Sequence, residues 1–183
     1  MRTRQKLTQR LCLSALATLT FGSALAADPG VTNDKLVLGA VMPLSGPPSI
    51  IGKAIATTLK VWEQDVNARG GIGGRKVDIR IEDDGYVPQR AVQGLKKLID
   101  VDHVFGLIGV SGSSQLLAML PIIDEQQIPA INHIAVNSAH FNPPRKTLFN
   151  IGATYCQEVS ASMKHLVTSQ KLQGSKFGLI FQE

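Results

Sequence analysis

The chain alternates short runs of aliphatic and β-branched residues with longer segments whose apolar residues recur at helical spacing. Lys35–Val41 and Lys76–Glu82 have the composition of strands, and Ile51–Arg69 between them carries an apolar stripe every three or four residues. Alternation of this kind indicates βαβ units, which build parallel sheets. We therefore predict the α/β class, with a doubly wound, mostly parallel sheet and helices on both of its faces.

The same alternation continues along the rest of the chain. Near-continuous apolar residues over His103–Val110 predict the most buried strand of the sheet. The other predicted elements are helices over Pro88–Asp100 and Ser113–Glu125 and strands over Ile128–Ile131, Thr147–Ile151 and Lys176–Phe181. A last helix is predicted over Tyr155–Gln170, with an inward-facing stripe of Val159, Met163, Leu166 and Val167.

This topology predicts where a ligand binds. Right-handed crossovers place every strand-to-helix loop at one edge of a parallel sheet. Ligands of such folds bind outside the carboxyl ends of the strands. The loops expected at that edge are Met42–Ile50, Asp83–Val87, Ser111–Ser114, Asn132–Ser138 and Gly152–Tyr155.

The serine-rich segment Ser111–Ser114 lies between the most buried predicted strand and the start of a helix. Hydroxyl groups and free backbone N–H groups at such a place bind anions, a carboxylate among them. Ser113 and Ser114 are therefore candidate ligand-binding residues. Plain N-capping of the helix by Ser113 is the structural alternative, and the two roles are compatible.

The segment Gly109–Ser113 also resembles the G-x-S-x-G nucleophile elbow, with Ser113 where the last glycine belongs. A tight strand-to-helix turn accepts a side chain poorly at that position. His140 and His165 have no evident acidic partner in the sequence. The main prediction is that the protein is not an enzyme, and a secreted serine hydrolase using Ser111 or Ser113 stays open as the alternative.

Asp83 and Asp84 end a predicted strand, which is where receiver domains hold Mg²⁺. The turn-forming residues 85–88 favour a structural role instead, in which these acids bond the loop and cap the next helix. The sequence carries neither a phosphate-loop nor a dinucleotide-binding fingerprint. Its four His residues show no metal-ligand spacing, and only His133 is expected at the ligand edge. We therefore predict no cofactor and no metal.

Residues 1–26 have the organisation of a cleavable secretory signal: basic residues, an apolar run over Leu11–Leu25, and Ala24-Leu25-Ala26 as the cleavage site. The run is too short to span a bilayer, and the cleavage site disfavours an uncleaved anchor. Of the 19 Lys and Arg, four lie in this segment, so 15 remain against 14 Asp and Glu, a net charge of +1. A chain this close to neutral has no bulk attraction for nucleic acid. We predict a periplasmic location.

Short motifs along the chain resemble, in order and spacing, the amino-lobe of the periplasmic substrate-binding proteins that serve branched-chain amino acid ABC transporters. The resemblance covers residues 34–183 and implies a type I periplasmic binding fold, in which two lobes close on a ligand. The matching motifs are Pro43–Gly46, Gly70–Arg75, Asp83-Asp84 with Pro88, Ile108-Gly109 before Ser113, and Phe149-Asn150 with Tyr155.

The resemblance also implies site residues. In amino acid-binding members, the position of Ser113 holds the α-carboxylate of the ligand through its hydroxyl and N–H. The positions of Ile134, Ala135 and Val136 supply groups for the charged ends of the ligand. Many members carry a hydroxyl around the last two of these positions that this chain lacks, which argues against leucine. Tyr155 is expected to cover an apolar or aromatic ligand, or else to pack at the start of its helix.

The function implied is that of an extracytoplasmic solute-binding component of an ABC transporter, for an amino acid or a related small carboxylated ligand. Its expected partners are that ligand and, in the full-length form, the ABC permease membrane subunits, with no nucleic acid. We divide the chain into a signal peptide, 1–26, and an amino-terminal ligand-binding lobe, 27–183, with the carboxy-lobe absent. A ligand-sensing or regulatory lobe of the same fold is the other open possibility, because fold alone does not fix function.

Overall fold

The computed structural model of the chain describes residues 28–110, 112–132, 136–140 and 142–178. Within these ranges five parallel strands form one sheet in the order β2-β1-β3-β4-β5, so the predicted α/β class with a parallel sheet is confirmed. The strands are β1 (Lys35–Met42), β2 (Lys76–Asp83), β3 (Gly106–Val110), β4 (Ala130–Asn132) and β5 (Leu148–Asn150). The helices are α1 (Ser49–Ala68), α2 (Pro88–Asp100), α3 (Ser113–Gln126) and α4 (Tyr155–Ser169), with a 3₁₀ turn over Ser138–His140.

Strand β1 is paired on both sides, and this pairing determines where the crevice of the sheet lies. β1 pairs with β2 from Lys35↔Lys76 to Met42↔Asp83, and with β3 along its other side. The strand order therefore reverses between β1 and β3. In an open parallel sheet, the carboxyl ends of the strands at such a reversal border a ligand-binding crevice. The loops that follow β1, β2 and β3 all reach this crevice.

Helices cover both faces of the sheet, because successive side chains of a strand point to opposite faces. On one face, Val66 of α1 packs with Leu38, Val77 and Ile79. On the other face, α2 and α3 pack against β1, β3 and β4 around a larger buried cluster. That cluster includes Val41, Leu95, Leu98, Leu107, Leu116, Met119 and Ile123.

Helix α2 shows how the local sequence produces these elements. Pro88 occupies the first turn, where its missing N–H costs no helical hydrogen bond. Ala91, Gly94, Leu95 and Leu98 follow at helical spacing and are all buried. A start signal and an apolar stripe therefore coincide in one segment, and the predicted bounds match the observed ones.

Two predicted strands differ from the structure. β3 begins at Gly106 and not at His103, because His103 has a φ of +49°, which a strand does not accommodate. Residues 176–178 of the strand predicted over Lys176–Phe181 are not in a strand, and the remainder lies outside the described residues. The predicted signal peptide also lies outside them. No helix in the described part of the chain is long and apolar enough to cross a membrane.

The inward-facing stripe predicted for α4 is wrong. No residue of α4 is buried, and Val159 and Leu166 are 55% and 43% exposed; Met163 and Val167 are only partly covered. The physical reason is position, because α4 follows the edge strand β5 and contributes to neither core cluster. Helical spacing identified the apolar side of α4, but a partner element is needed to bury it.

Candidate functional site

The loops after β1 and β2 are packed against each other at the carboxyl edge of the sheet. The backbone N–H of Asp84 donates to the carbonyl oxygen of Met42 across 3.2 Å. A side-chain carbon built on Gly46 would lie 3.1 Å from the carbonyl oxygen of Gly85, so the two loops approach each other by their backbones. These loops form one wall of the crevice beside β3.

The first turn of α3 forms the centre of this edge. Gly112 is the residue before the helix, with a φ of +103°, and it makes no side-chain cap, so the prediction that Ser113 caps α3 is wrong. Ser113 is instead the first helical residue and half-buried, and Ser114 is exposed. The first helical hydrogen bond runs from Leu116 N to the Gly112 oxygen, at 3.0 Å. The N–H groups of residues 113–115 precede it and have no acceptor within the helix.

This arrangement favours an anion. N–H groups without helical acceptors and the positive end of the helix dipole are both directed out of the first turn of α3. Ser113 and Ser114 add hydroxyl groups there. Ser111, which with Ser113 was one of the two nucleophiles considered in the hydrolase alternative, lies outside the described residues. The geometry can therefore hold a carboxylate at Ser113.

His140 contacts this turn, and the sequence had not predicted His140 as part of the site. The His140 side chain is fully buried, with Nε2 at 3.3 Å from the carbonyl oxygen of Ser113. A carbonyl oxygen accepts, so Nε2 carries the proton in this contact. Asn137 shapes the turn that leads to His140, since its side chain accepts from Ala139 N at 2.9 Å. The sequence predicted only His133 at this edge, and His133 lies outside the described residues.

The other predicted contacts lie around the segment after β4. Val136 is buried, and its carbonyl oxygen accepts from the N–H of Tyr155 at 3.1 Å. The structure thus brings these two predicted residues together at the start of α4. The Tyr155 side chain is 46% exposed. Ile134 and Ala135 lie outside the described residues.

Asp83 ties the loops after β1 and β2 together. Its Oδ1 accepts from the N–H groups of Leu44 (2.8 Å), Gly85 (2.9 Å) and Ser45 (3.1 Å), and its Oδ2 accepts from the Ser45 hydroxyl at 2.7 Å and from Arg90 at 3.0 Å. Burial alone raises the pKa of this carboxyl, but the bonds from Ser45, Gly85 and Leu44 outweigh it and lower that pKa well below 3.8. Asp83 therefore remains charged and bonds the loop, as the sequence analysis favoured.

The environment of Asp84 shifts its pKa in the opposite direction to that of Asp83. Its side chain is fully buried; Oδ1 accepts from Tyr86 N at 2.7 Å, and Oδ2 has no hydrogen-bond partner among the described residues. Burial raises the pKa of Asp84 above its ordinary 3.8, although the Tyr86 bond opposes the change. Neither acid caps α2, whose preceding residue Val87 makes no side-chain cap. Within the described ranges, no three His, Cys, Asp or Glu side chains are grouped closely enough to hold a metal ion.

A cavity of about 550 Å³ opens at this edge and is lined by Pro47, Pro48, Gly85 and Tyr86. The sequence analysis placed both loops here but singled out neither the prolines nor Tyr86. A second cavity of about 290 Å³ lies at the opposite edge, by the amino ends of β3 and β4, where Val104 and Gln127 are among its lining residues. The carboxyl edge thus combines a helix start whose first N–H groups have no helical acceptor with an adjoining cavity bordered by two proline rings and Tyr86.

Comparison with known proteins gives a family match across most of the chain. The family model described as "Periplasmic binding protein" matches residues 35–183. Among curated proteins, the chain is 26% identical over 107 residues to Leu/Ile/Val-binding protein homolog 7 of Brucella suis, covering 58% of this chain and 27% of that protein. It is 26% identical over 131 residues to an amino acid binding protein of Pseudomonas aeruginosa, covering 72% of this chain and 35% of that protein.

A solved structure agrees with these matches. The fatty acid ABC transporter substrate-binding protein from Thermomonospora curvata superposes with a TM-score of 0.70 and 26% identity, over 79% of this chain and 36% of that chain. This chain therefore spans about a third of the length of the relatives that it matches.

Proposed function

The chain belongs to the periplasmic binding protein family, and on that basis we propose that it binds a small carboxylated solute for an ABC transporter. Relatives of the family bind solutes and are not enzymes by name: two are amino acid-binding or Leu/Ile/Val-binding proteins, and one serves a fatty acid transporter. An amino acid and a fatty acid share a carboxylate and differ in the body that it carries. The carboxylate is therefore the part of the ligand that we assign first.

The observation that supports this assignment most strongly is the first turn of α3. Three N–H groups without helical acceptors, the hydroxyl of Ser113 and the helix dipole meet where the strand order reverses. The proton on His140 Nε2 holds the Ser113 carbonyl, which orients the turn. We propose that Ser113 and Ser114 contact the carboxylate.

The remaining predicted residues belong to the same proposal. Val136 and Tyr155 lie beside each other at the start of α4, and Tyr155 presents an exposed ring there. We propose that this ring, with backbone groups at Ile134, Ala135 and Val136, contacts the body of the ligand. We further propose that the protein is exported through a cleavable signal at residues 1–26 and works in the periplasm. Residues 27–183 are proposed to be the amino-terminal lobe, and the partners are proposed to be ABC permease subunits.

The proposal is tested by thermal unfolding with matched pairs of ligands. Amino acids and simple carboxylic acids are each compared with the amide that removes the negative charge. A ligand present at 100 times its Kd adds about 2.7 kcal/mol to the free energy of unfolding, which raises the Tm by about 5–10 °C. We expect some carboxylates of the panel to raise the Tm and their amides to leave it unchanged.

Ser113→Ala should weaken carboxylate binding by about tenfold, since one hydrogen bond to a charged group is lost. Ser160→Ala is the matched control, because Ser160 is an exposed serine of helix α4, away from this turn. Equal stabilisation by acids and amides, or no stabilisation by any carboxylate, would overturn the proposed function.

A further inference from the structure

We propose that Tyr86 determines ligand specificity by forming, with Pro47 and Pro48, a slot for the flat apolar ring of a ring-bearing carboxylate. The inference rests on the proposed function and deepens it. It identifies the residues that contact the body of the ligand, whereas the first turn of α3 is proposed to bind the carboxylate of the ligand.

Tyr86 stands in a backbone conformation that a bulky residue rarely adopts. Residues 84–87 form a tight turn in which Val87 N donates to the Asp84 oxygen at 2.9 Å, with φ values of +54° at Gly85 and +64° at Tyr86. Two successive positive φ values are typical of a type I′ turn, whose usual residues are glycine and asparagine. Gly85 fits this preference and Tyr86 does not. Strain of this kind persists where the surroundings impose it, and it clusters at functional sites.

A buried acid hydrogen-bonds to the backbone of this turn. The Asp84 side chain is fully buried, and the hydrogen bond described for its carboxyl is the one that Oδ1 accepts from Tyr86 N, at 2.7 Å. Its Oδ2 is buried with no hydrogen-bond partner among the residues described. Burying a carboxyl with one oxygen unsatisfied is unfavourable. Two locally unfavourable features, the buried acid and the left-handed tyrosine, are thus joined by one hydrogen bond in this turn.

The Tyr86 ring lies between the slot and the proposed carboxylate site. Tyr86 is 46% exposed and lines the cavity of about 550 Å³ together with Pro47, Pro48 and Gly85. Its Cε2 would be 3.1 Å from a side-chain carbon built on Gly112, the residue that precedes α3. One side of the ring therefore borders the slot, and its edge reaches the turn that presents the N–H groups.

The walls of the slot match an apolar ring. Two proline rings and a tyrosine ring are rigid, so they accept a flat ligand without ordering flexible side chains. A side-chain carbon built on Gly85 would meet the Arg90 guanidinium, which is paired with Asp83 at 3.0 Å. The slot consequently carries no unbalanced charge from these two residues. A ligand of this kind would place its ring in the slot and its carboxylate at the first turn of α3.

The test compares benzoate with heptanoate, which have the same number of carbons and the same charge. Both are titrated against the full chain and followed by NMR chemical shifts, so that weak binding is measured directly. We expect the wild-type chain to bind benzoate at least tenfold more tightly than heptanoate. Tyr86→Phe should keep this ratio, because the ring is retained.

Tyr86→Gly should bring the ratio of the two affinities close to one and, at the same time, raise the Tm by a few degrees, because glycine relieves the left-handed strain. These opposite effects on selectivity and stability distinguish a specificity residue from a merely structural one. Tyr86→Asn, which also tolerates a positive φ, is the second variant if the glycine variant does not fold.

Each outcome has one meaning. An unchanged benzoate preference in the folded Tyr86→Gly or Tyr86→Asn variant overturns the assignment of Tyr86. Equal affinity of the wild type for benzoate and heptanoate overturns the ring slot and leaves carboxylate binding in place. If neither acid binds, and the wider panel of carboxylates fails as well, the proposed function falls together with this inference.

Discussion

Asp83 is the residue on which the shape of the ligand edge depends most directly. One carboxyl group accepts bonds from the loop after β1, from the loop after β2 and from Arg90 in α2. The loop after β1 lies 38 and 39 residues before Asp83 at its two bonded positions, Ser45 and Leu44, so no local propensity holds it to the other two segments. All of these donors bond to the negatively charged carboxylate of Asp83, so protonation of Asp83 weakens each bond.

Asp83→Asn should lower the free energy of unfolding at neutral pH by about 2 kcal/mol, because an amide nitrogen would face the Ser45 hydroxyl and Arg90. The native pKa of Asp83 lies below its ordinary 3.8, so this stabilisation is present above that value and is lost as the pH falls below it. Urea unfolding of wild type and variant at neutral and acidic pH should show the difference shrinking in acid. Asp100→Asn, at an exposed position, is the control.

A constant difference between the wild type and Asp83→Asn at all pH values would contradict this account. Asp84 is present in both the wild type and Asp83→Asn, so its own titration does not account for a difference between their free energies of unfolding. Its pKa is raised, so its own effect has the opposite sign: stability falls as the pH rises from 3.8 through the raised native value.

Gly52 is a second residue whose role depends on tertiary contact. A side-chain carbon on Gly52 would lie 2.0 Å from the carbonyl oxygen of Pro43, so α1 meets the loop after β1 backbone to backbone. Alanine favours a helix over glycine by about 1 kcal/mol, but the clash requires the backbone to move. We expect Gly52→Ala to destabilise the protein by about 2–3 kcal/mol, measured by urea unfolding. The neighbouring exposed Lys53→Ala should stay within about 0.5 kcal/mol of wild type, and equal effects of the two would refute the contact.

At the scale of elements, α3 and α4 share helical sequence signals but differ in what covers them. α3 buries Leu116, Met119, Leu120 and Ile123. α4 begins with a capping box between Thr154 and Gln157, yet it buries no residue. The sequence predicted both helices because the spacing of apolar residues is a local signal. Burial is not local, and for this reason the predicted inward stripe of α4 failed.

Substitutions in these two helices should therefore have unequal effects. Met119→Ala in α3 should lower the free energy of unfolding by about 2–4 kcal/mol, because it leaves a cavity in the larger core cluster. Leu166→Ala in α4 should change it by less than about 0.5 kcal/mol. Chemical denaturation measures both, and amide hydrogen exchange should be faster in α4 than in α3. A large loss from Leu166→Ala would show that another surface covers α4.

At the scale of the whole molecule, the alternation of strands and helices predicted the fold class from the sequence, and the ligand-binding edge remains a prediction. Parallel strands with right-handed crossovers leave few other arrangements. The sequence did not predict His140 beneath Ser113 or Tyr86 beside Gly112, because both depend on segments that meet only in the folded chain. The left-handed backbone of Tyr86 gave no local signal either, because turns with this conformation usually carry glycine or asparagine there.

The most direct test of the central claim, that the carboxyl edge of the sheet binds the ligand, is a backbone amide NMR titration of the labelled chain with a carboxylate that binds. The account predicts that the largest shifts fall on residues 112–116 and 85–87, around the first turn of α3 and Tyr86. Residues 126–128, at the cavity of the opposite edge, should stay unmoved. Shifts concentrated at residues 126–128, with none around Gly112, would contradict the account.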